Sequence, residues 1–485
     1  MVSFVTVTNN QLNFLKNLVG YWFFRVQNFL NMRFSAYRTH ALINVVKYSV
    51  NIMGAMTRIE MKGDSHLKFH EKIMGIIEDR DDLTLSSVAI KIGVSKQYMS
   101  KFKKRGTIGF CQLVKLSHIL NDKNKTSEET MVEWCLDLDA TEAIKQSFEY
   151  ACVTRNVDLL HKLLIKHKSE AGTVGEYVSV YGILYKYIIG EIHGTEIMDE
   201  LKKIGQPKDK VLNVLVDIMK CYNYFHLKKY NLMLELIQEI EPQVKTIDSD
   251  RKSYIKECYI YRVAEIFAPV YLHYNHLDLA RQFANVIIDA NISKKTISDS
   301  LYILGMSYLG EDKEKSLKYF EDSYSLFKQV GDKTYEKEVR YNLDFAKIYL
   351  GEILPEDSDG LLKQFQMFPE PSSLQLLQES LYDGAEEDFL VYFKGVVSTS
   401  PYGIYECFQK FLLQSNYFFT SLVAKEILKR GDNSKLIKSM VGFKGNIGEG
   451  AFADEKTNCY NLSCINSIHC IERIYKTDTR QLQEK

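Results

Sequence analysis

The stretch LTLSSVAIKIGVSKQYMSKFKKRG, residues 83–106, reads as helix, tight turn, helix. Ala89 is small where two helices must approach closely. Gly93 stands where the turn needs a positive φ, a conformation that disfavours any residue with a Cβ. Ser95 is a natural N-cap for the second helix. Val88, Ile92, Val94, Met99 and Phe102 supply the apolar positions that hold the two helices together. Together these residues have the helix-turn-helix spacing.

Charge points the same way. Lys91, Lys96, Lys101, Lys103, Lys104 and Arg105 fall between residues 91 and 105, and no acidic residue does. Such a helix suits phosphate contact, which depends strongly on salt. Ser95, Lys96, Gln97, Tyr98 and Ser100 lie at the exposed start of the second helix, the part that enters the major groove in this motif. Gln pairs with adenine edges and Lys with guanine. Lys101, Lys103, Lys104 and Arg105 suit phosphates, contacts that position without specifying. Helices expected over His66–Arg80 and Phe110–Leu120 complete a small bundle within residues 61–125. The competing structural reading is a plain helical hairpin with a solvated basic face. The joint match of small residue, glycine, cap and one-sided charge favours DNA.

Downstream, from Trp134, the pattern is of paired helices of roughly 12–16 residues with short connections. The clearest pair carries Leu304-Gly305-x-x-Tyr308 and then Ser316-x-x-x-Phe320-x-x-Ser323. Small residues there let two helices close up, and aromatics fill the gaps. Weaker copies are Tyr224–Tyr230 with a helix ending before Pro242, Ala280-x-x-x-Ala284, and Tyr405–Ala424. Pro369 and Pro371 mark the clearest break, because proline cannot sit inside a helix without losing a hydrogen bond. The expected fold is all-α: a helix-turn-helix bundle, then a degenerate tetratricopeptide-like solenoid over residues 130–440. Stacked pairs of this kind bury a shared core and leave a concave face suited to an extended peptide.

The ends differ in character. Residues 1–59 contain no acidic residue. Within an extension spanning 1–60, they read as an amphipathic surface-binding arm, as translated upstream sequence with Met56 or Met61 as the start, or as a helical extension. Residues 441–485 form a Gly-rich polar tail. Its Cys459, Cys464, His469 and Cys470 match no common zinc spacing, so no metal is expected. Lys+Arg and Asp+Glu both total 62, so any polyanion-binding surface must be local. Nine scattered cysteines give no secreted disulfide framework. Leu12–Leu30 is too polar for a membrane span. A cytoplasmic chain with no membrane partner is expected. No phosphate-cradling loop, HExxH or nucleophile elbow is present, so neither an enzyme nor a cofactor is expected.

Three segments resemble a known family. They are MVEWCLDLDATEAIKQSFEYA (Met131–Ala151), LYKYIIGEI with EIMDELKKIG (within Leu184–Gly205), and YFKG with YECFQKFLLQSNYFFTSLVAKEILKRGDNSKLI (within Tyr392–Ile437). They look like the AimR arbitrium receptors of Bacillus phages and prophages, in the same order. The resemblance implies a homodimeric transcription regulator that binds a double-stranded DNA operator and a short signalling peptide. In that family the peptide-free protein activates a gene favouring lysis, and peptide favours lysogeny. Asn and Arg side chains in the middle of the array hold the peptide there. Aligning by Tyr259-x-x-Arg262 and Gly305 puts Lys295 at a peptide-contacting Arg position. The inner-face Asn positions read as Pro269 and His273. Asn342 and Asp344 are further candidates on a following helix. Two other readings share the plan: a bacterial regulator of sporulation or virulence genes, and a Rap-like interaction module whose residues 66–120 bind protein and not DNA.

Overall fold

Four helices precede the array: α1 (Phe69–Glu78), α2 (Leu85–Lys91), α3 (Lys96–Arg105) and α4 (Phe110–Leu120). Thr84 caps α2 by accepting from Ser87 N, and Ser95 caps α3 by accepting from Tyr98 N. Gly93 has φ +72° in the turn between them. Val88, Ile92, Met99 and Phe102 are buried, so the apolar spacing read from the sequence is the interface of this pair. The computed structural model describes residues 68–120, 125–247, 253–331, 333–381 and 387–447. All of them lie in the second of two compact units, Lys68–Lys485. The acid-free start, residues 448–485 and the tail cysteines lie outside the described residues.

The array continues with α5 (Ser127–Asp137), α6 (Thr141–Val153), α7 (Val157–Lys166), α8 (Gly172–Ile188), α9 (Ile197–Ile204), α10 (Lys210–His226), α11 (Tyr230–Lys245) and α12 (Ser253–His273). It goes on through α13 (Leu277–Ala290), α14 (Lys294–Tyr308), α15 (Lys313–Lys328), α16 (Lys333–Tyr349), α17 (Gly360–Met367) and α18 (Pro371–Leu381). It closes with α19 (Asp388–Val396), α20 (Gly403–Leu413), α21 (Tyr417–Lys429) and α22 (Lys435–Met440). The fold is all-helical, with neighbouring helices stacked as a solenoid.

The pair α14–α15 shows why the repeat residues are what they are. A Cβ on Gly305 would come within 2.8 Å of the Phe320 ring. Ser316 Oγ donates to Gly305 O at 2.8 Å, and Ser298 Oγ donates to Ser323 O at 2.9 Å. Small residues therefore set the helix separation and satisfy each other's polar atoms. Proline behaves less simply. α11 runs through Pro242 to Lys245, and α12 runs through Pro269. The helix expected to end before Pro242 is thus one turn longer. Pro242 lacks the N–H that would donate to Gln238 O, but its own carbonyl accepts from Thr246 N at 3.1 Å, so only one hydrogen bond is lost.

The corners repeat. Arg155, Lys228, Asn275 and Ser415 have φ between 55° and 61°, each just after α6, α10, α12 or α20. The next residue's N–H returns to a carbonyl five back: Asn156 to Ala151, Lys229 to Tyr224, His276 to Tyr271 and Asn416 to Phe411, at 2.7–2.9 Å. These left-handed caps close the orphan carbonyls of each helix end.

Candidate functional site: a basic helix and a recessed charge cluster

α3 is fixed from below. Met99 and Phe102 are buried, and Gly106, at φ +72°, ends the helix by donating to Phe102 O. On the other side, Lys96, Gln97, Lys101, Lys104 and Arg105 are exposed. Among the described residues, none of these four cations forms an ion pair. The other named residues are bonded within the bundle. Ser95 Oγ is the cap, and Ser100 Oγ donates to Lys96 O at 3.0 Å. Gly109 N donates to Tyr98 Oη at 2.7 Å, tying the start of α3 to the turn before α4. Lys103 pairs with Glu78 of α1 at 2.6 Å. Both partners are solvated, so that pair is worth about 0–1 kcal/mol and leaves Lys103 available to a phosphate.

A second concentration of charge lies within the array. Lys295 Nζ stands 3.8 Å from the centroid of the Tyr335 ring. One turn along α14, Asp299 has its carboxyl pushed up to about 6 by burial, against the pull of Lys295 and Arg155. Burial likewise raises Glu338 on α16, again against Lys295. Glu387, the N-cap of α19, is pushed up to about 7 by burial and then by the charges of Glu338 and Asp388, with Lys228 opposing. Arg155 Nη2 reaches Glu265 Oε1 on α12 at 3.2 Å. Asp299 and Glu338 are exposed side chains that burial by the surrounding protein still shifts upward. We read that combination as a cleft open to solvent. Residues from the α6–α7 corner, α12, α14, α16 and α19 meet there.

Within electrostatic reach of Arg155 is a dry ion pair. Arg262 Nε donates to Glu149 Oε1 at 2.7 Å, and Tyr181 Oη donates to Glu149 Oε2 at 2.5 Å. Arg262 and Glu149 have no solvent exposure. The pair clamps α12 to α6.

The residues named from sequence are distributed unequally. Lys295 is in the cleft. His273 packs 3.9 Å from the Tyr230 ring, and its Nε2 lies 3.2 Å from Gln414 O. Burial lowers its imidazole to about 4, so Nε2 carries a proton for that carbonyl while the ring stays neutral. Asp344 is fully buried and accepts from Arg340 Nε at 3.2 Å through both oxygens. Asn342 is half-buried on α16. Thus the structure joins Lys295 to Asp299 and Glu338, and uses His273 and Asp344 for bonds within the fold. Sequence reading passed over Asp299, Glu338 and Glu387. The available signal was weak: Asp299 follows Lys295 by one turn.

Comparison with known proteins fits this architecture. A family model described as "AimR transcriptional regulator-like" matches residues 127–429. The AimR transcriptional regulator of Bacillus phage phi3T is 22% identical over 333 residues, 64% of this chain and 84% of that protein. An uncharacterized protein of Bacillus anthracis is 25% identical over 141 residues, 28% of this chain and 51% of its own length. Two solved structures share the fold. "SeMet-phAimR" has a TM-score of 0.55 at 19% identity and covers 77% of this chain and 100% of its own. "phAimR-Ligand" has a TM-score of 0.56 at 20% identity and covers 67% and 98%. On the extent of the family match, the chain belongs to the AimR transcriptional regulator-like family.

Proposed function

We propose that this protein is a sequence-specific DNA-binding transcription regulator whose activity is set by a short signalling peptide held in the array. The observation that carries the reading is α3. It is a rigidly seated second helix whose outer side offers Gln97 and four cations without ion pairs among the described residues. The family match begins at residue 127, after the bundle, so the DNA reading rests on the bundle's own geometry. The recessed cluster supports the peptide reading, because it offers fixed charges of both signs to a peptide's ends and side chains. Membership of the AimR-like family supports control of lysis against lysogeny. Two half-sites in an operator call for two bundles, hence a homodimer. Exposed Tyr402, Leu413 and Leu436 on and beside α20 and α22 supply a surface for it. No helix among the described residues is long and apolar enough to cross a membrane, which suits a cytoplasmic regulator.

The test is selection and sequencing of genomic fragments bound by the wild type and by Lys96→Ala/Gln97→Ala at physiological salt. A two-half-site motif enriched by the wild type alone is the expected result. Equal enrichment by a folded double variant would remove the groove assignment. No enrichment by either would favour the protein-interaction reading.

A further inference from the structure

Residues 351–381 hold six acidic residues and one basic residue, Lys363. In the same stretch large apolar side chains face water. Ile353 is 88% exposed, Met367 66%, Phe368 62% and Leu376 48%. Exposed apolar groups that cluster mark contact surfaces far more often than scattered ones do.

These side chains are held, not loose. Gln366 clamps the loop before α17: its Oε1 accepts from Leu354 N at 3.0 Å and its Nε2 donates to Glu352 O at 2.6 Å. Ile353, between the two clamped residues, is thereby tied to Gln366, whose chain neighbours are Met367 and Phe368. The next turn is fastened as well. Phe368 O accepts from Ser373 Oγ at 2.7 Å and from Glu370 N at 2.8 Å. Pro369 and Pro371 stiffen the backbone on either side of Glu370. Leu354, Leu362, Phe365, Leu374 and Leu377 are buried underneath. An apolar knuckle already ordered in this way loses little conformational entropy when it is covered.

The rim decides what covers it. Glu356 and Glu370 are exposed and form no ion pair among the described residues. Nucleic acid and anionic lipid are repelled by such a rim, whereas a cationic surface is attracted. We propose that the Ile353–Met367–Phe368 knuckle is a docking surface for an amphipathic helix of a partner protein. That helix carries Leu- or Ile-type residues on one face and Lys or Arg along its flanks. The inference uses neither α3 nor the recessed cluster, so it stands apart from the function proposed above.

The test uses the full chain and a fluorescent synthetic helix of Leu and Lys, roughly five turns long. Anisotropy titrations compare the wild type with I353S/M367S/F368S, with F368S alone, and with K295A/D299N in the cleft. Thermal midpoints check that each variant folds. The expected result is binding that weakens with salt, falls about tenfold in the triple variant, and is unchanged in the cleft variant. A matching Leu/Glu helix should not bind. Equal affinity of the wild type and the knuckle variants would overturn the proposal, as would loss confined to the cleft variant. A change of molecular mass by sedimentation in the triple variant would also overturn it, by making a second copy the occupant.

Discussion

Glu149 and Arg262 illustrate what one pair of residues decides. Each is expensive to bury alone, and together with Tyr181 they satisfy most of each other's hydrogen bonds. Arg262→Ala leaves a buried carboxylate without its cation. We expect a loss of about 3–5 kcal/mol in urea unfolding, with much of it recovered when Glu149 is also made apolar. A single variant within 1 kcal/mol of the wild type would show that water reaches the pair. Asp299 responds to pH instead. It binds its proton more tightly in the folded state, with a value of about 6 against an ordinary 3.8. The fold therefore loses stability as pH rises through that window, because the unfolded chain gives up this proton first. Asp299→Asn should melt higher than the wild type at about pH 8 and alongside it near pH 4. A constant difference at both pH values would remove burial as the cause.

At the scale of elements, α3 and the array corners show different legibility. The turn between α2 and α3 and the start of α3 were readable because Gly93 and Ser95 each do one local job, whereas the Thr84 cap of α2 was seen only in the structure. α4 was readable to the residue. The corners were not, because Arg155, Lys228, Asn275 and Ser415 occupy positive φ where glycine would have announced the turn. The period therefore drifts in sequence while the corner geometry recurs. α3 also makes a measurable claim about phosphates. Lys101 and Lys104 are exposed and lie beyond the start of the helix, the part proposed to enter the groove. Lys101→Ala should weaken binding to all DNA sequences alike and reduce the slope of log K against log salt by about one. An altered sequence preference with an unchanged slope would move Lys101 to a base contact.

Across the whole molecule, α12 links distant parts. Its Tyr254 packs 4.7 Å from Phe110 of α4, in the basic bundle. Further along it carries Arg262 and Glu265, and at its end His273 meets Gln414. Residues 441–447, read from sequence as the start of a polar tail, bind here too. Gly445 N donates to Tyr274 O at 3.0 Å, Asn275 Nδ2 to Phe443 O at 2.8 Å, and His276 Nε2 to Gly445 O at 2.7 Å. The end of the array is thus strapped to its middle. A Cβ at Gly445 would collide with the rings of Tyr274 and Tyr417. Gly445→Val should destabilise by about 1–3 kcal/mol and speed hydrogen exchange at residues 441–447 and 274–276. Unchanged exchange at both places would mean that the strap carries no load.

The sequence by itself determined the helical class, the turn at Gly93, the one-sided charge of α3 and the tight α14–α15 pair. Each depends on residues close together in the chain, where spacing translates directly into a helix face or a cap. Only the tertiary structure decided which polar residues share a cleft, and that His273 and Asp344 are spent on the fold. It also decided that 441–447 returns to α12. Several of those contacts join groups more than 100 residues apart in the chain, such as Arg155 with Glu265 or Asn275 with Phe443, whereas Asp344 is held by Arg340 one turn away on its own helix. Helical periodicity places a residue on a face. It does not say which face will meet it.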